Sequence, residues 1–260
     1  MTRTWKFTDF EFVVAWETAQ ADILPAPFVF TSRTELYDDY QREKREMREQ
    51  LRHRLDGEFE NVLDIVARPD IRIVVHGWGS DFEDAESQIR LLAVRREGYG
   101  YVLKQLPGET AWHSGGYTVT ECGPLALADA LIAELPEADP GKLKSVALVE
   151  RAESDDMDFA YGRSLVEDSF DDTVEEQAGK FLAAPITGEG IVEIAQGISR
   201  FGPRGIARKQ LAWRDIDGDG RYAITGSIPP IARGVDAKQF VTLVNSGVAE
   251  VVKAIRDERL

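Results

Sequence analysis

IRIVVHG at residues 71–77 and GIVEIAQG at 190–197 are the two stretches that decide how this chain folds. In the first, Ile71, Ile73 and Val75 alternate with Arg72 and Val74, and the second alternates in the same way, so both predict β-strands. Reading outward from 71–77, residues 88–95 (QIRLLAVR) predict a second strand, Glu97-Gly98 a turn, 99–105 (YGYVLKQ) a third strand and 117–121 a fourth. Between the first two strands lies a loop, His76-Gly77-Trp78-Gly79-Ser80-Asp81-Phe82-Glu83-Asp84. Pro124 then opens a helix lined on one side by Leu125, Leu127, Ala128, Leu131, Ile132 and Leu135. Outward from 190–197 come a loop with Phe201-Gly202-Pro203-Arg204-Gly205 and a strand at 207–214 (ARKQLAWR). The tight turn Asp217-Gly218-Asp219-Gly220 and a strand at 221–225 follow. Asp236 caps a last helix whose stripe is Phe240, Leu243, Val244, Val248, Val251 and Ile255.

The two regions share landmarks at nearly constant spacing. Gly77 and Gly197 are 120 apart, Leu92-Ala93-Val94-Arg95 and Leu211-Ala212-Trp213-Arg214 are 119 apart, and Tyr101 and Tyr222 are 121 apart. This points to an internal duplication; the alternative is that strand–loop–strand–turn–strand–helix is simply a common order. The expected fold is α+β, with two quasi-symmetric halves, each an antiparallel β-sheet covered by α-helices. Two such halves side by side share one broad sheet face, a kind of surface on which partner proteins dock.

Before residue 71 the pattern is helical. Thr8 and Glu11 form a capping box, and Phe10, Val13 and Val14 carry a helix over 9–19. Pro25 and Pro27 end that region, and Phe28-Val29-Phe30 is a short strand candidate. Residues 34–54 predict a long charged helix with a narrow stripe of Leu36, Tyr40, Met47, Leu51 and Leu55. Phe59, Val62, Leu63 and Val66 predict a further helix, stopped by Pro69. Between the halves, residues 150–176 hold eleven acids and two bases, a net of −9, which predicts a solvated connector. Its end, with Val174, Ala178, Phe181 and Leu182, predicts an amphipathic helix that Pro185 terminates. The organisation read from this is a first half at 1–149, an acidic connector and helix at 150–184 and a second half at 185–260, forming one compact unit.

Composition removes several functional classes. The 260 residues carry a net charge of −15 and are 43% hydrophobic, enough for a substantial core. The single cysteine, Cys122, precludes an internal disulfide and fits a reducing cytoplasm. Three histidines, His53, His76 and His113, offer little for zinc. A pI near 4.7 opposes nucleic-acid binding through phosphates. No apolar run approaches the ~18 residues of a membrane span, and MTRTWKFTDFEF lacks the apolar core of a secretory signal.

Candidate chemistry is sparse. Asp215-Ile216-Asp217-Gly218-Asp219-Gly220 mimics the opening of a calcium loop, but Gly226 stands where the twelfth-position Glu should be, and strands flank it. A hairpin turn is the simpler reading, and a calcium-regulated adaptor is the alternative. His76 at a strand end, with the acidic cluster Asp155, Asp156 and Asp158, is the place for a cryptic enzyme site; a surface histidine and solvated acids are the plainer account. Gly77-Trp78-Gly79 and Gly98-Tyr99-Gly100 do not extend to a dinucleotide fingerprint. Trp78 and Phe82 in the first loop, and Phe201 with Arg204 in the second, are the residue types that anchor protein interfaces, and equally types that fold back as a lid on the core.

The order of these segments resembles the EspG family of actinobacteria, associated with type VII (ESX) secretion. TDFEFVVAWE followed by LPAPFVF, FENVLDIVARP leading into IRIVVHG, and QIRLLAVRREGYGYVL followed by GPLALADALIAELPE carry the resemblance. The run ITGEGIVEIAQG with ARKQLAWRDIDGDGRYAIT carries it most specifically. The match spans roughly 5–256; the acidic connector and the charged 34–54 helix depart from it. The resemblance implies a cytoplasmic, non-enzymatic chaperone without cofactor or metal. Such a chaperone binds a PE/PPE-like helical secretion substrate near its apolar tip, keeps it soluble and directs it to export. By position, the binding surface would involve the sheet, the 76–87 loop with Trp78 and Phe82, and the 198–206 loop with Phe201 and Arg204. A homodimer is compatible with this reading.

Overall fold

A computed structural model describes residues 3–20, 23–55, 57–149 and 173–259. Its frame is one ten-stranded sheet. On one side of the sheet are β1 (Thr4–Phe7), β2 (Ile71–Gly79), β3 (Ile89–Arg96), β4 (Tyr99–Pro107) and β5 (Ser114–Cys122). The others are β6 (Val146–Ala147), β7 (Ile186–Gln196), β8 (Arg208–Ile216), β9 (Gly220–Thr225) and β10 (Ile231–Gly234). They lie in the order β1-β5-β4-β3-β2-β7-β8-β9-β10-β6, and all neighbours are antiparallel. The order is symmetric about the β2–β7 ladder, where Ile71 faces Gln196 and Gly79 faces Gly188. The α+β class is as expected, with the two half-sheets fused into one.

Among the described residues six helices clothe the sheet: α1 (Asp9–Gln20), α2 (Tyr37–Arg54), α3 (Gly57–Ala67), α4 (Leu127–Ile132), α5 (Val174–Ala183) and α6 (Ala237–Arg259). Strand alternation sorts the core into two faces. Ile71, Ile73 and Val75 of β2, Val192 and Ile194 of β7, and Trp213 of β8 pack against α4 and α6 through Leu131, Phe240 and Val244. On the opposite face, Leu92, Leu103 and Val119 meet Phe12 of α1 and Phe59 and Leu63 of α3. Further along that face, Ile216 and Tyr222 meet Phe181 of α5. Between these last two clusters, over β2 and β7, the face is open, and Ile191 remains 38% exposed.

Caps form where the residues predict them. Thr8 N–H donates to Glu11 Oε2 (2.8 Å) while Glu11 N–H donates to Thr8 Oγ1 (3.2 Å). Asp236 and Gln239 make the same reciprocal pair at α6; Thr173 and Glu176 add one at α5 beyond those expected from the sequence. Each such cap is worth about 1 kcal/mol of helix stability.

Several expectations need correction. Strand β2 runs on through His76, Gly77 and Trp78 to Gly79, because the glycine that reads as a breaker lies under the Trp213 ring. Phe28-Val29-Phe30 is not a strand; side chains take its backbone bonds, with Gln105 Oε1 accepting from Val29 N–H (2.9 Å) and Tyr117 O–H donating to Val29 O (2.7 Å). Helix α2 starts at Tyr37 rather than Thr34, whose hydroxyl instead donates to Glu43 (2.6 Å). Helix α4 begins only at Leu127, which leaves Leu125 exposed rather than on its apolar side. The short strands β1, β6 and β10 carry too few residues to show alternation.

The repeat register also shifts. Tyr101 pairs with Val94 and Tyr222 with Arg214, so superposing the two ladders matches Val94 with Arg214 and Leu91 with Leu211. Leu92 and Leu211, matched in the sequence, face opposite sides of the sheet. A one-residue slip always exchanges the faces of a strand. Most of the acidic connector, including Asp155, Asp156 and Asp158, lies outside the described residues.

Candidate functional site

The open face over the β2–β7 seam is a groove with a cavity volume of about 590 Å³. Its floor comes from the even residues of β2 (Arg72, Val74, His76) and the odd residues of β7 (Ile191, Glu193); Trp16 of α1 and Val66 of α3 form one wall. A second hollow of about 420 Å³ shares Trp16 and Ile23 and reaches Trp112. Since β2 and β7 are both internal strands, their backbone groups are already paired. An occupant must therefore lie on the face with its own backbone bonds satisfied, as a helix does.

One end of the groove carries an aromatic cluster. The His76 ring lies 5.3 Å from Trp78 and 6.4 Å from Phe82; Trp78 and Phe82 are 5.4 Å apart, and Phe82 is 6.3 Å from Trp112. Their edge-to-face arrangement is the favourable one for rings. Trp78 is half-buried, while Phe82 and Trp112 are 40% and 60% exposed. The acids of this loop fix its shape: Asp81 accepts from Glu83 N–H (2.9 Å), Asp84 from Glu86 N–H (3.2 Å), and Gln88 Nε2 donates to Phe82 O (2.7 Å). Burial, with the charge of Arg90 behind it, lowers the pKa of His76. Arg90 is itself buried and donates to Ala111 O (2.8 Å), tying the Trp112 loop to β3. His76 thus serves as a neutral ring among aromatics, and no carboxylate bonds it among the described residues.

Phe201 and Arg204 stand elsewhere. Their loop leaves β7 beyond Gln196, at the Ile71 end of β2, whereas Trp78 faces Glu189 near the other end. Seven residues of strand separate the two ends, about 23 Å. The groove spans that distance, touching His76 at one end and Gly197 at the other. The structure thus gathers Trp78 and Phe82 into one patch and sets Phe201 and Arg204 on a loop at the opposite end of the β2–β7 ladder, outside the groove lining. Phe201 is 75% exposed and Arg204 is exposed, so neither is a core lid.

Glu258 of α6 anchors this second loop. Gln196 Nε2 donates to it at 2.6 Å, Ser199 Oγ at 3.0 Å, and the Arg200 N–H also donates to it. The Gln196 bond, outweighing the opposing effect of burial and joined by Arg200 and Ser199, holds the Glu258 carboxyl below its usual 4.5. A lowered folded pKa means the tie is complete above 4.5 and is lost as pH falls through the lower folded value. The Arg200 amide resonance is expected to titrate in that acid window, and to stop doing so in Glu258→Gln. A pH-independent amide in the unsubstituted chain would contradict the tie.

The calcium reading fails on geometry. Asp215 receives two bonds from Arg221, Nε to Oδ1 and Nη2 to Oδ2, both 2.7 Å. Asp219 accepts from Tyr222 O–H (2.6 Å) and Lys142 N–H (2.9 Å). The segment is the β8–β9 hairpin, with Gly218 at φ 66°. Among the described residues, no cluster of three or more His, Cys, Asp or Glu is placed to hold a metal. No helix among them is long and apolar enough to cross a membrane.

Sequence reasoning missed Trp112, Arg72, Ile191 and Glu193. The last three are visible in retrospect as the outward positions of strands assigned correctly. Trp112 comes from a loop thirty residues beyond Phe82, and nothing local marks that contact.

One continuous antiparallel sheet, with α4 and α6 packed on one face and a central groove on the other, defines a scaffold that offers a surface. Comparison with known families narrows this: the EspG family model matches residues 8–235, and the chain belongs to the EspG family. Its fold is similar to that of the Mycobacterium tuberculosis type VII secretion system chaperone EspG5, solved in complex with a PE25–PPE41 dimer. The TM-score is 0.54 at 14% identity, covering 98% of this chain and 96% of that one. No curated protein matches.

Proposed function

We propose that this chain is a cytoplasmic, non-catalytic chaperone of a type VII (ESX) secretion system. It binds a PE/PPE-like helical substrate on the open sheet face, keeps it soluble and presents it for export. The observation that carries this reading is the groove over the β2–β7 seam, apolar along its walls and rimmed at one end by Trp78, Phe82 and Trp112. An exposed apolar helix tip is an aggregation hazard, and covering it needs shape and apolar contact with no reacting group. Phe201 and Arg204 extend the surface at the far end. The net charge of −15 keeps both chaperone and complex soluble. The structurally similar EspG5 was solved with a PE–PPE dimer, which supports the class of partner.

The test is purification of the tagged chain from its host while the secretion locus is expressed, followed by light scattering of the recombinant complex. A stoichiometric PE/PPE-like pair is expected. Trp78→Ala and Phe82→Ala should each weaken that complex by about 1–2 kcal/mol, roughly five- to thirtyfold, with the fold intact by circular dichroism. Affinities unchanged in both variants would remove the aromatic rim from the interface. Absence of any such substrate would end the chaperone reading.

A further inference from the structure

Four arginines near the groove are engaged in ion pairs. Arg68 and Arg96 pair with Asp64, Arg214 with Glu189 and Arg259 with Asp70. Arg72, in the groove floor, makes no ion pair among the described residues, and its Nε is buried without a hydrogen-bond partner among them. Glu193 lies in the same floor and is likewise unpaired among the described residues. Arg72 faces Ala195 and Val74 faces Glu193, so the two charges are diagonal neighbours on one face, with Cα atoms about 7–8 Å apart. A half-buried charge in an apolar groove costs stability unless something pairs with it.

The geometry points to a dipolar recognition element. Arg72 and Glu193 select a helix whose apolar face carries a carboxylate and a cationic side chain one turn apart, the carboxylate to Arg72 and the cation to Glu193. Residues three or four apart on a helix stand about 5–6 Å apart, and the long side chains span the remaining difference. Two opposite charges fix both the register and the direction of the helix along the seam, which apolar walls alone cannot do. The inference rests on the proposal that a helix occupies this groove, and it adds which helices are accepted.

The test is selection of displayed single helices on the purified full chain. Positions one turn apart on an apolar face are randomised, and Ile191→Arg serves as the groove-blocked counter-screen. The expected result is enrichment of Asp or Glu paired with Lys or Arg at that spacing. In the double variant Arg72→Glu/Glu193→Arg, which keeps the net charge, the enriched polarity should invert. For a selected peptide, Arg72→Gln should weaken binding about tenfold, while the same peptide with its acid changed to Gln should bind both forms alike. If the double variant does not fold, the single variants Arg72→Gln and Glu193→Gln carry the comparison. Enrichment indifferent to charge, no enrichment, or a preference unchanged by the substitutions would overturn the inference. Charge-paired selection without a PE/PPE-like partner in the host would sink the chaperone proposal alone. A host substrate that binds without regard to Arg72 would sink this inference alone.

Discussion

Replacing Asp215 by alanine is expected to lower unfolding stability by about 3–5 kcal/mol, the range for stripping one partner from a buried ion pair. Arg221 is 4% exposed and Asp215 7%, and the pair is bidentate at 2.7 Å. Arg221 Nη2 also donates to Pro136 O (3.0 Å), which binds the segment after α4 to the far half of the sheet. Without Asp215 the guanidinium keeps one carbonyl and loses its countercharge in a place that water does not reach. Urea unfolding would show the loss as a lowered midpoint at unchanged slope. Replacing both partners, Asp215→Leu with Arg221→Met, should recover most of the loss, because an apolar pair of similar volume carries no unpaired charge. A cost below about 1 kcal/mol for Asp215→Ala would show that the pair is solvated in practice.

Gly190→Ala is the second large expected effect. Gly77 and Gly190 face each other across the β2–β7 seam, and the Trp213 ring, 1% exposed, lies over both. A Cβ on Gly77 would sit 2.6 Å from Trp213 Cη2 and Cζ2; one on Gly190 would crowd the same ring and come within 2.6 Å of His76 O. Overpacking of this kind costs about 1–3 kcal/mol, and Gly190→Val should cost more. The test of cause is coupling. Trp213→Leu removes the obstructing ring, so Gly190→Ala should cost markedly less in that background than in the natural one. Strictly additive costs would mean that the ring is not what excludes the methyl group.

The same glycine pair shows what a sequence conveys and what it withholds. Alternation at 71–75 and 190–197 reveals strands and which side chains share a face, and Asp-Gly between two such runs reveals the β8–β9 hairpin. Alternation does not say which strand lies beside which, so the β2–β7 pairing was not legible. Gly77 read as the end of a strand because its reason for being glycine, the ring of Trp213, lies far away in sequence. Trp78 and Phe82 were legible as candidates for a surface site because large aromatics in a Gly-rich loop are conspicuous. Arg72 and Glu193 looked like ordinary outward positions; only the bare central face turns them into a floor. Phe28-Val29-Phe30 failed for a related reason: its apolar pattern fits a strand, yet Gln105 and Tyr117 take the bonds that a ladder would use.

The central ladder also sets a schedule for synthesis. On the ribosome, β2 emerges long before the strand that completes its outer edge. Roughly 100 residues separate Gly79 from Ile186, about 5–20 s of elongation at ~5–20 residues per second. Throughout that interval the nascent first half displays an unzipped, Ile- and Val-rich border, the kind of edge that recruits other chains. The finished protein ends its sheet in strands of only four and two residues, so the hazard belongs to the chain being made and vanishes once β7 arrives. Slowed translation between the halves should therefore lower the soluble yield more than the same delay placed after residue 196.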